Sequence, residues 1–490
     1  MVKNKVLTDS FALTLVKLLT MAVSIVSTMV LSRQLDLVHY GTYSTGNLLI
    51  NTATSLSALG LLDAVNYYYN GQSKENRKKY IDTVFALVIL MGAFAGTIIL
   101  VFGSYIQNYF HNPLLTSILI YVAFRPLLAN LGLGMQNLQV SIGKAKVVAI
   151  RNSIISFSKL AVVIITAYIT HNIKTIFICM LVVEAISLGF YYNVLYKNSV
   201  RIQPFNLDSA LIGKILAYCI PMGIYIQTNA LSRDLDKYVI GFFESTDKLA
   251  IYTNASTKLP FDVISGPLLM VLIPILTRCI NNGEYENGLK LFKSNIKVGY
   301  TITFIIGAVV IALSKPAMLF LYGEKYLAGR TVFELYVLVD MINFISFSIV
   351  LGAKGKTKVL MIISSCALIV NLGINYLFYS IWGFTGPAYA TVLVVFVTNC
   401  TLLHISAKVF NTNILNLFDW KHVGILLLEL IIIATFIRKT SLIFEQMGVH
   451  YFISLSMLGL IGVSAGVLVN FKEVKRALAQ LDEINTSSTH

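Results

Sequence analysis

Apolar runs of about twenty residues recur along the whole chain, and each gives way to a short polar connection. A helix of that length matches the hydrocarbon thickness of a bilayer. The runs fall near residues 10–31, 41–66, 81–103, 114–140, 148–170, 173–196, 211–240, 249–277, 296–315, 330–351, 358–379, 384–409, 421–438 and 450–470, about fourteen spans in all. No connection is long enough to hold a soluble catalytic domain. The first run is too long for a signal-peptide core and lacks a small-residue cleavage site, so it is read as the first span. The pattern predicts an all-α polytopic membrane protein.

Two short echoes divide this array. LSRQLD at 31–36 returns as LSRDLD at 231–236, and GKAK at 143–146 returns as GKTK at 355–358. Two matches at nearly the same offset predict an internal duplication, each copy carrying six helices. Residues 1–200 then form an N-terminal six-helix lobe and residues 201–410 a C-terminal one. The polar stretch 411–420 is a natural joint before two appended helices and a cytoplasmic tail, residues 411–490.

Composition supports the membrane reading. The chain is 56% hydrophobic and 12% charged, with a mean hydropathy of +0.75, against about 25% charged for soluble domains. The net charge of +15 raises nucleic acid as a partner, but the basic residues are not gathered in one domain. They cluster in alternate connections, as at Lys74, Arg77, Lys78 and Lys79, or Lys354, Lys356 and Lys358. The intervening connections are poor in Lys and Arg, which places both termini in the cytoplasm. The five cysteines lie inside apolar runs without ligand spacing, so neither disulfides nor a metal site is expected.

A charge inside a span costs about 2.5–3.5 kcal/mol on insertion scales, so such residues face a cavity or a partner. The basic candidates are Lys17, Arg125, Lys159, Arg233, Lys237 and Lys258; the acidic ones include Asp63, Glu184, Asp234, Asp236, Asp262 and Asp340. For Lys17, snorkelling to the interface and a cavity role stand level. Lys159 shares a helical face with Asn152 and Ser156, which reads as a wet cavity wall. Arg125 precedes Pro126, whose missing hydrogen bond frees a carbonyl, so a structural arginine competes with a binding one. Lys258 and Asp262, at i and i+4 around Pro260, either neutralise each other or serve the cavity. The cluster Arg233, Asp234, Asp236 and Lys237 is a self-paired rim or a site. Asn47, Asn51, Thr54 and Ser55 lie along one face of the second span as helix-packing glue or as substrate contacts.

The excess of cations over spans 1, 4, 5, 7 and 8 suits an anionic substrate such as a phosphate or pyrophosphate. Catalytic motifs are absent: there is no Walker lysine, HExxH, GxSxG or paired-cysteine pattern. No enzymatic activity, cofactor or metal is therefore expected, and transport draws on an ion gradient, the membrane potential or downhill flux.

Several stretches resemble one family in the family's own order: LSRQLDLVHYGTYS near the start, DKYVIGFFESTDKLAIYTNAS at 236–256, LIPILTR at 272–278, LFLYGEKYLAG at 319–329, GKTK at 355–358 and NLGINYLFYSIWGFTGPAYATVL at 371–393. The chain is similar to the bacterial polysaccharide flippases of the multidrug/oligosaccharidyl-lipid/polysaccharide (MOP) exporter superfamily. The resemblance implies two pseudo-symmetric six-helix lobes, MATE-like, with spans 13 and 14 appended, and a cavity lined by spans 1, 2, 7 and 8. It implies transfer of an undecaprenyl-pyrophosphate-linked oligosaccharide repeat unit from the cytoplasmic to the outer leaflet of the bacterial cytoplasmic membrane, for surface polysaccharide synthesis. Membrane lipids, a polysaccharide polymerase and glycosyltransferases are the partners this role brings. Related lipid II flippases use cavity arginines in spans 1, 2 and 8. Here span 1 has Lys17, span 2 no basic residue in its core, and span 8 Lys258, which argues against the peptidoglycan precursor.

The expected mechanism is alternating access. Lys17, Arg125, Lys159, Arg233 and Lys258 contact the anionic head, Asn47 and Asn51 add polar contacts, and Asp236, Glu184 or Asp340 takes a coupling ion. A cation-coupled drug antiporter of the MATE type is the alternative, and a non-transporting scaffold in cell-wall assembly a third reading.

Overall fold

A computed structural model of the chain describes the backbone of residues 2–170, 172–259 and 262–487, with side chains described there except at 2–15, 17, 74, 75, 222, 262–271, 478 and 480–487. Every regular element among the described residues is helical. The chain divides into two compact units, residues 1–251 and 252–490.

The first unit holds α1 (Val2–Gln34), α2 (Leu37–Ala58), α3 (Leu61–Gly71), α4 (Lys74–Val101), α5 (Gly103–Tyr109), α6 (Leu119–Ser141), α7 (Ala145–Ile169), α8 (Ile173–Lys197) and α9 (Ser209–Phe243). The helix α10 (Thr246–Ala255) carries the chain across the boundary. The second unit holds α11 (Asp262–Asn281), α12 (Tyr285–Ala312), α13 (Ser314–Leu321), α14 (Arg330–Ile342), α15 (Ile349–Ala353), α16 (Thr357–Trp382), α17 (Gly386–Val409), α18 (Trp420–Gln446) and α19 (Tyr451–Ser487).

Side-chain caps open several of these helices. Asp36 accepts the His39 amide at 2.8 Å, Asn172 the Lys174 amide at 2.9 Å and Asp208 the Ala210 amide at 3.0 Å, each occupying a donor that the first helical turn leaves unpaired. Among the described residues, eight apolar stretches are long enough to cross a bilayer, one of them containing both α16 and α17. A bent pair in α9, Ser209–Pro221 with Gly223–Phe243, adds a ninth.

The order of elements repeats. In the first unit a long helix, α4, runs into the short α5, a 3-10 turn at Pro113–Ser117 and then α6. In the second, α12 runs into the short α13, a 3-10 turn at Glu324–Gly329 and then α14. The second span of each series is interrupted. Residues 59–60 separate α2 from α3, and residues 256–259 leave the helix after α10.

Three expected spans are therefore not single helices. The run 41–66 breaks at Leu59 and Gly60, the run 249–277 breaks before α11, and the run 330–351 breaks between α14 and α15. Apolar runs report burial in lipid or protein, and a break inside protein leaves the run unaltered.

Glycines allow close approach where the hydrophobic effect is weak. Gly92 and Gly96 of α4 lie against Leu127 and Ala123 of α6, and Gly462 and Gly466 of α19 lie against Val309 and Ile305 of α12. Leu61, Val65, Val84, Phe85, Leu138, Ile215 and Cys219 form one buried cluster of the first unit. Ile215 and Cys219 belong to α9, and Tyr68 OH donates to the Lys214 carbonyl at 3.1 Å. α9 thus packs on α3 and α4 within the first unit, which runs to residue 251.

The last two helices are built into the second unit. Leu426 and Leu430 join Leu276, Phe292 and Tyr300 in its core. Lys297 Nζ bridges Asp419 at 2.9 Å and Glu473 at 2.6 Å. His422 Nδ1 meets Tyr300 OH at 2.8 Å, and its Nε2 meets Asn470 Oδ1 at 3.1 Å.

Candidate functional site

The first unit carries two polar centres, a cleft and an ion triad. The cleft arises where two helices break. Leu59 and Gly60, both left-handed at φ 39° and 74°, end α2 and start α3. In α9, Pro221 removes a backbone donor, and the helix bends by 42° before Gly223. The two breaks touch. A Cβ on Gly60 would lie 2.6 Å from the Cys219 carbonyl oxygen, and one on Gly223 would lie 2.7 Å from the Leu59 carbonyl carbon. Glycine is required on both sides because backbone meets backbone.

Beside this crossing lies an open cleft of about 260 Å³, bounded by Asn51, Thr54, Ser55, Ala58, Gly60, Leu62, Asp63, Asn130, Leu133, Ile226 and Gln227. Gln227 clamps α9 to α2: its Oε1 accepts from Ser55 Oγ at 2.8 Å and its Nε2 donates to the Ser55 carbonyl. Asn130 fastens α6 to α2, its Nδ2 donating to the Thr54 carbonyl at 3.0 Å and Ser57 Oγ at 2.9 Å. Asn130 Oδ1 and Thr54 Oγ1 are buried without a hydrogen-bond partner among the described residues. Among the described residues, Asp63 is the only charged one of the lining.

The triad joins α6, α7 and α8. Glu184 Oε2 lies 2.7 Å from Arg125 Nε, and Glu184 Oε1 lies 2.7 Å from Lys159 Nζ. The Arg125 and Glu184 side chains are nearly buried, while that of Lys159 is 30% exposed. Two cations on one carboxylate leave a net positive charge, and Arg125 Nη1 has no hydrogen-bond acceptor among the described residues. The expected stripe from Asn152 to Lys159 faces protein neighbours. Asn152 Nδ2 donates to Gln136 at 2.9 Å, its Oδ1 accepts from Tyr191 OH at 2.6 Å, and Lys159 turns to Glu184.

The other expected residues are dispersed. The side chain of Lys17 lies outside the described residues. Asn47 donates to the Tyr43 carbonyl of its own helix at 3.1 Å, and Asn51 lines the cleft. On α9, Arg233 is exposed, Asp236 is buried, and Asp234 pairs with Lys237 at 2.6 Å. Lys258 is exposed in the non-helical break after α10, so no continuous helix sets it at i, i+4 from Asp262, whose side chain lies outside the described residues. Asp340, buried on α14, accepts the Leu259 amide at 2.8 Å and ties that break to its unit.

Sequence reasoning named Asp63 only as one of several intramembrane acids and did not single out Asn130 or Gln227. The signals present were local. Gly60 interrupts an apolar run three residues before a carboxylate, and Pro221 interrupts another six residues before a glutamine.

The family described as polysaccharide biosynthesis protein matches residues 30–329, more than half of the chain and both polar centres. The chain belongs to that family. It is a multi-pass membrane protein of the MOP superfamily, the superfamily of lipid-linked substrate flippases and transporters. A multidrug resistance protein, MdtK of Photorhabdus laumondii, is 27% identical over 190 residues, 36% of this chain and 39% of its own length. A Chlamydia muridarum protein named Probable lipid II flippase MurJ is 22% identical over 178 residues, 34% of this chain and 32% of its own. The chain thus matches only 32% to 39% of the length of these curated relatives. Among solved structures, the lipid II flippase MurJ in an inward closed conformation superposes with a TM-score of 0.69 at 16% identity, over 96% of this chain and 99% of its own. A MOP superfamily transporter from Pyrococcus furiosus, reported to have a binding pocket of reversed polarity, gives 0.61 at 12% identity, over 84% and 96%. At these identities the likeness establishes the fold.

Proposed function

We propose that this protein is a flippase for a polyprenyl-pyrophosphate-linked oligosaccharide, moving its polar head from the cytoplasmic to the outer leaflet of a bacterial cytoplasmic membrane by alternating access. The observation that carries the reading is the family match, which spans the residues building the cleft and the triad. A saccharide head needs a polar passage, and its phosphates need cations. In this reading Arg125 and Lys159 hold a positive site whose charge Glu184 only half balances, as charge-assisted contacts to phosphate require. Lys17, Arg233 and Lys258 are further proposed anion contacts, and Asn47 and Asn51 polar ones. Asp236, Glu184 and Asp340 are the proposed coupling-ion candidates. Both termini are cytoplasmic, and a polymerase and glycosyltransferases act on either side of the transfer.

The test is reconstitution of the full chain in vesicles with a fluorescent polyprenyl-pyrophosphoryl saccharide in one leaflet. Loss of fluorescence to an outside quencher follows the transfer. Protein-dependent movement is expected, slowed by Lys159→Gln and Lys258→Gln; movement no faster than in protein-free vesicles refutes the reading.

A drug antiporter has two observations in its favour, the similarity to MdtK and the carboxylate that is the sole charge lining the cleft among the described residues. It predicts resistance to lipophilic cations on overexpression, which a saccharide flippase does not confer.

A further inference from the structure

The link between α8 and α9, residues 198–208, is short, and its tip is bare. Phe205 is 98% exposed, so its ring lends the fold almost no packing. The chain around it is nonetheless held. The Gln203 carbonyl accepts the Asn206 amide at 3.0 Å, closing a turn with Pro204 and Phe205 at its centre. Asn206 Nδ2 adds a bond to Gln203 Oε1 at 3.1 Å. Asp82 of α4, itself buried, accepts the Gln203 amide at 2.8 Å, and Thr83 Oγ1 accepts the Asp208 amide at 3.2 Å. Lys78 Nζ donates to Gln203 Oε1 at 2.7 Å, and Ile202 is buried in the apolar cluster of the first unit. A turn fastened on both sides presents Phe205 outward as a fixed knob.

The fastenings also set its depth. Asp82 and Thr83 lie inside the membrane-length stretch Asn76–Val101 of α4. The link leaves α8 at Lys197 and enters α9 at Ser209, the ends of two further apolar stretches. Phe205, between the tied residues Gln203 and Asp208, is therefore held where helices meet headgroups, a layer about 5–8 Å thick on each face of a bilayer. Aromatic side chains concentrate at that level, and Tyr192 and Tyr196 at the end of α8 are exposed there too. Charge gives the sign of the lipid. Lys197, Arg201 and Lys214 are exposed, and the Arg201 guanidinium lies over the Tyr196 ring, 5.2 Å from its centroid. The one acid between residues 197 and 214 in the sequence is Asp208, which caps α9 by accepting the Ala210 amide. An apolar tip among cations is what an anionic bilayer surface takes up.

We propose that this link is a membrane-surface anchor. Phe205 inserts at the boundary of headgroups and acyl chains, and Lys197, Arg201 and Lys214 pair with the phosphates of anionic phospholipid. The proposal is independent of what the protein transports. It rests on a side chain that the fold itself leaves unused, at a depth that hydrogen bonds to α4 fix.

The test uses the full chain carrying Phe205→Trp in nanodiscs, which leave both faces of the bilayer open to water. The replaced ring packs against almost nothing, so the variant should purify and melt as the parent does. Emission from Trp382 and Trp420 is recorded in the parent and subtracted. The added indole is expected to emit at shorter wavelength than in water, to be shielded from acrylamide and to be quenched by lipids brominated near the top of their acyl chains. Brominated phosphatidylglycerol should quench it more than brominated phosphatidylcholine at the same mole fraction. High salt should shrink that difference, and Lys197→Gln, Arg201→Gln and Lys214→Gln together should erase it while quenching by phosphatidylcholine persists. An indole that emits as in water, stays open to acrylamide and ignores brominated lipid overturns the proposal. Equal quenching by the two lipids overturns it as well, because the cations then select nothing. Shielding that appears only when a second protein is added would give the tip to a protein partner and overturn the lipid assignment.

Discussion

Replacing Glu184 with alanine should destabilise the first unit severely. The carboxylate holds Arg125 and Lys159 at 2.7 Å each, and without it two cations face each other between α6, α7 and α8. Removing one partner of a buried ion pair costs about 3–5 kcal/mol, because the other charge stays desolvated. Lys159, partly exposed, can turn its ammonium outward and recover part of this; Arg125, nearly buried, cannot. At about 2–4 °C per kcal/mol for a unit of this size, the midpoint of thermal unfolding should fall by about 6–20 °C. Lys159→Met, which keeps the Arg125–Glu184 pair, should cost only about 1 kcal/mol, the upper end for exposed pairs. Adding Arg125→Met to Glu184→Ala should regain part of the loss, with a coupling of up to about 3 kcal/mol. The assay is thermal unfolding of detergent-purified protein followed by size-exclusion recovery. A Glu184→Ala protein melting within about 2 °C of wild type would show that the triad carries no stability and refute the reasoning.

Gly223→Ala should slow transport or lower the yield of folded protein, since its methyl meets the Leu59 carbonyl; unchanged transfer and yield would mean that α9 shifts freely at its bend. The pH response of the α18 cap follows from the Lys297 ammonium, which holds the Asp419 carboxyl below its ordinary range. A lowered native pKa gives stability above the unfolded value of about 3.9 that is lost as pH falls through the native value. Melting should therefore show no Asp419 contribution to pH dependence from about pH 5 to 8, and a small loss below about pH 4 that Asp419→Asn abolishes. The loss should stay under about 1 kcal/mol because the carboxylate is half exposed. Truncation after residue 410 removes Leu426 and Leu430 from the core of the second unit; membrane fractions should then contain little monodisperse protein, whereas a dispensable pair of helices would leave the yield unchanged.

Much of this molecule was legible before any coordinates. The length of each apolar run, capping residues such as Asp36 and Asp208, and the ordered stretches from LSRQLD to NLGINYLFYS pointed to a helical membrane protein of the MOP superfamily. These are local matters: in lipid the backbone must satisfy its own hydrogen bonds, so a long apolar run has little choice but helix. The charges inside those runs could be named but not partnered. Whether Lys159 looks into water or to Glu184 depends on how α7 and α8 are rotated about their axes, and helical periodicity fixes a face without saying what that face meets. The cleft depends on a still longer-range fact. Gly60 and Gly223 are ordinary interruptions in two separate runs until folding lays one backbone on the other. Asn130 then spends its donors on α2, and Asp63 turns from one intramembrane acid among several into the one charge that, among the described residues, lines the cleft.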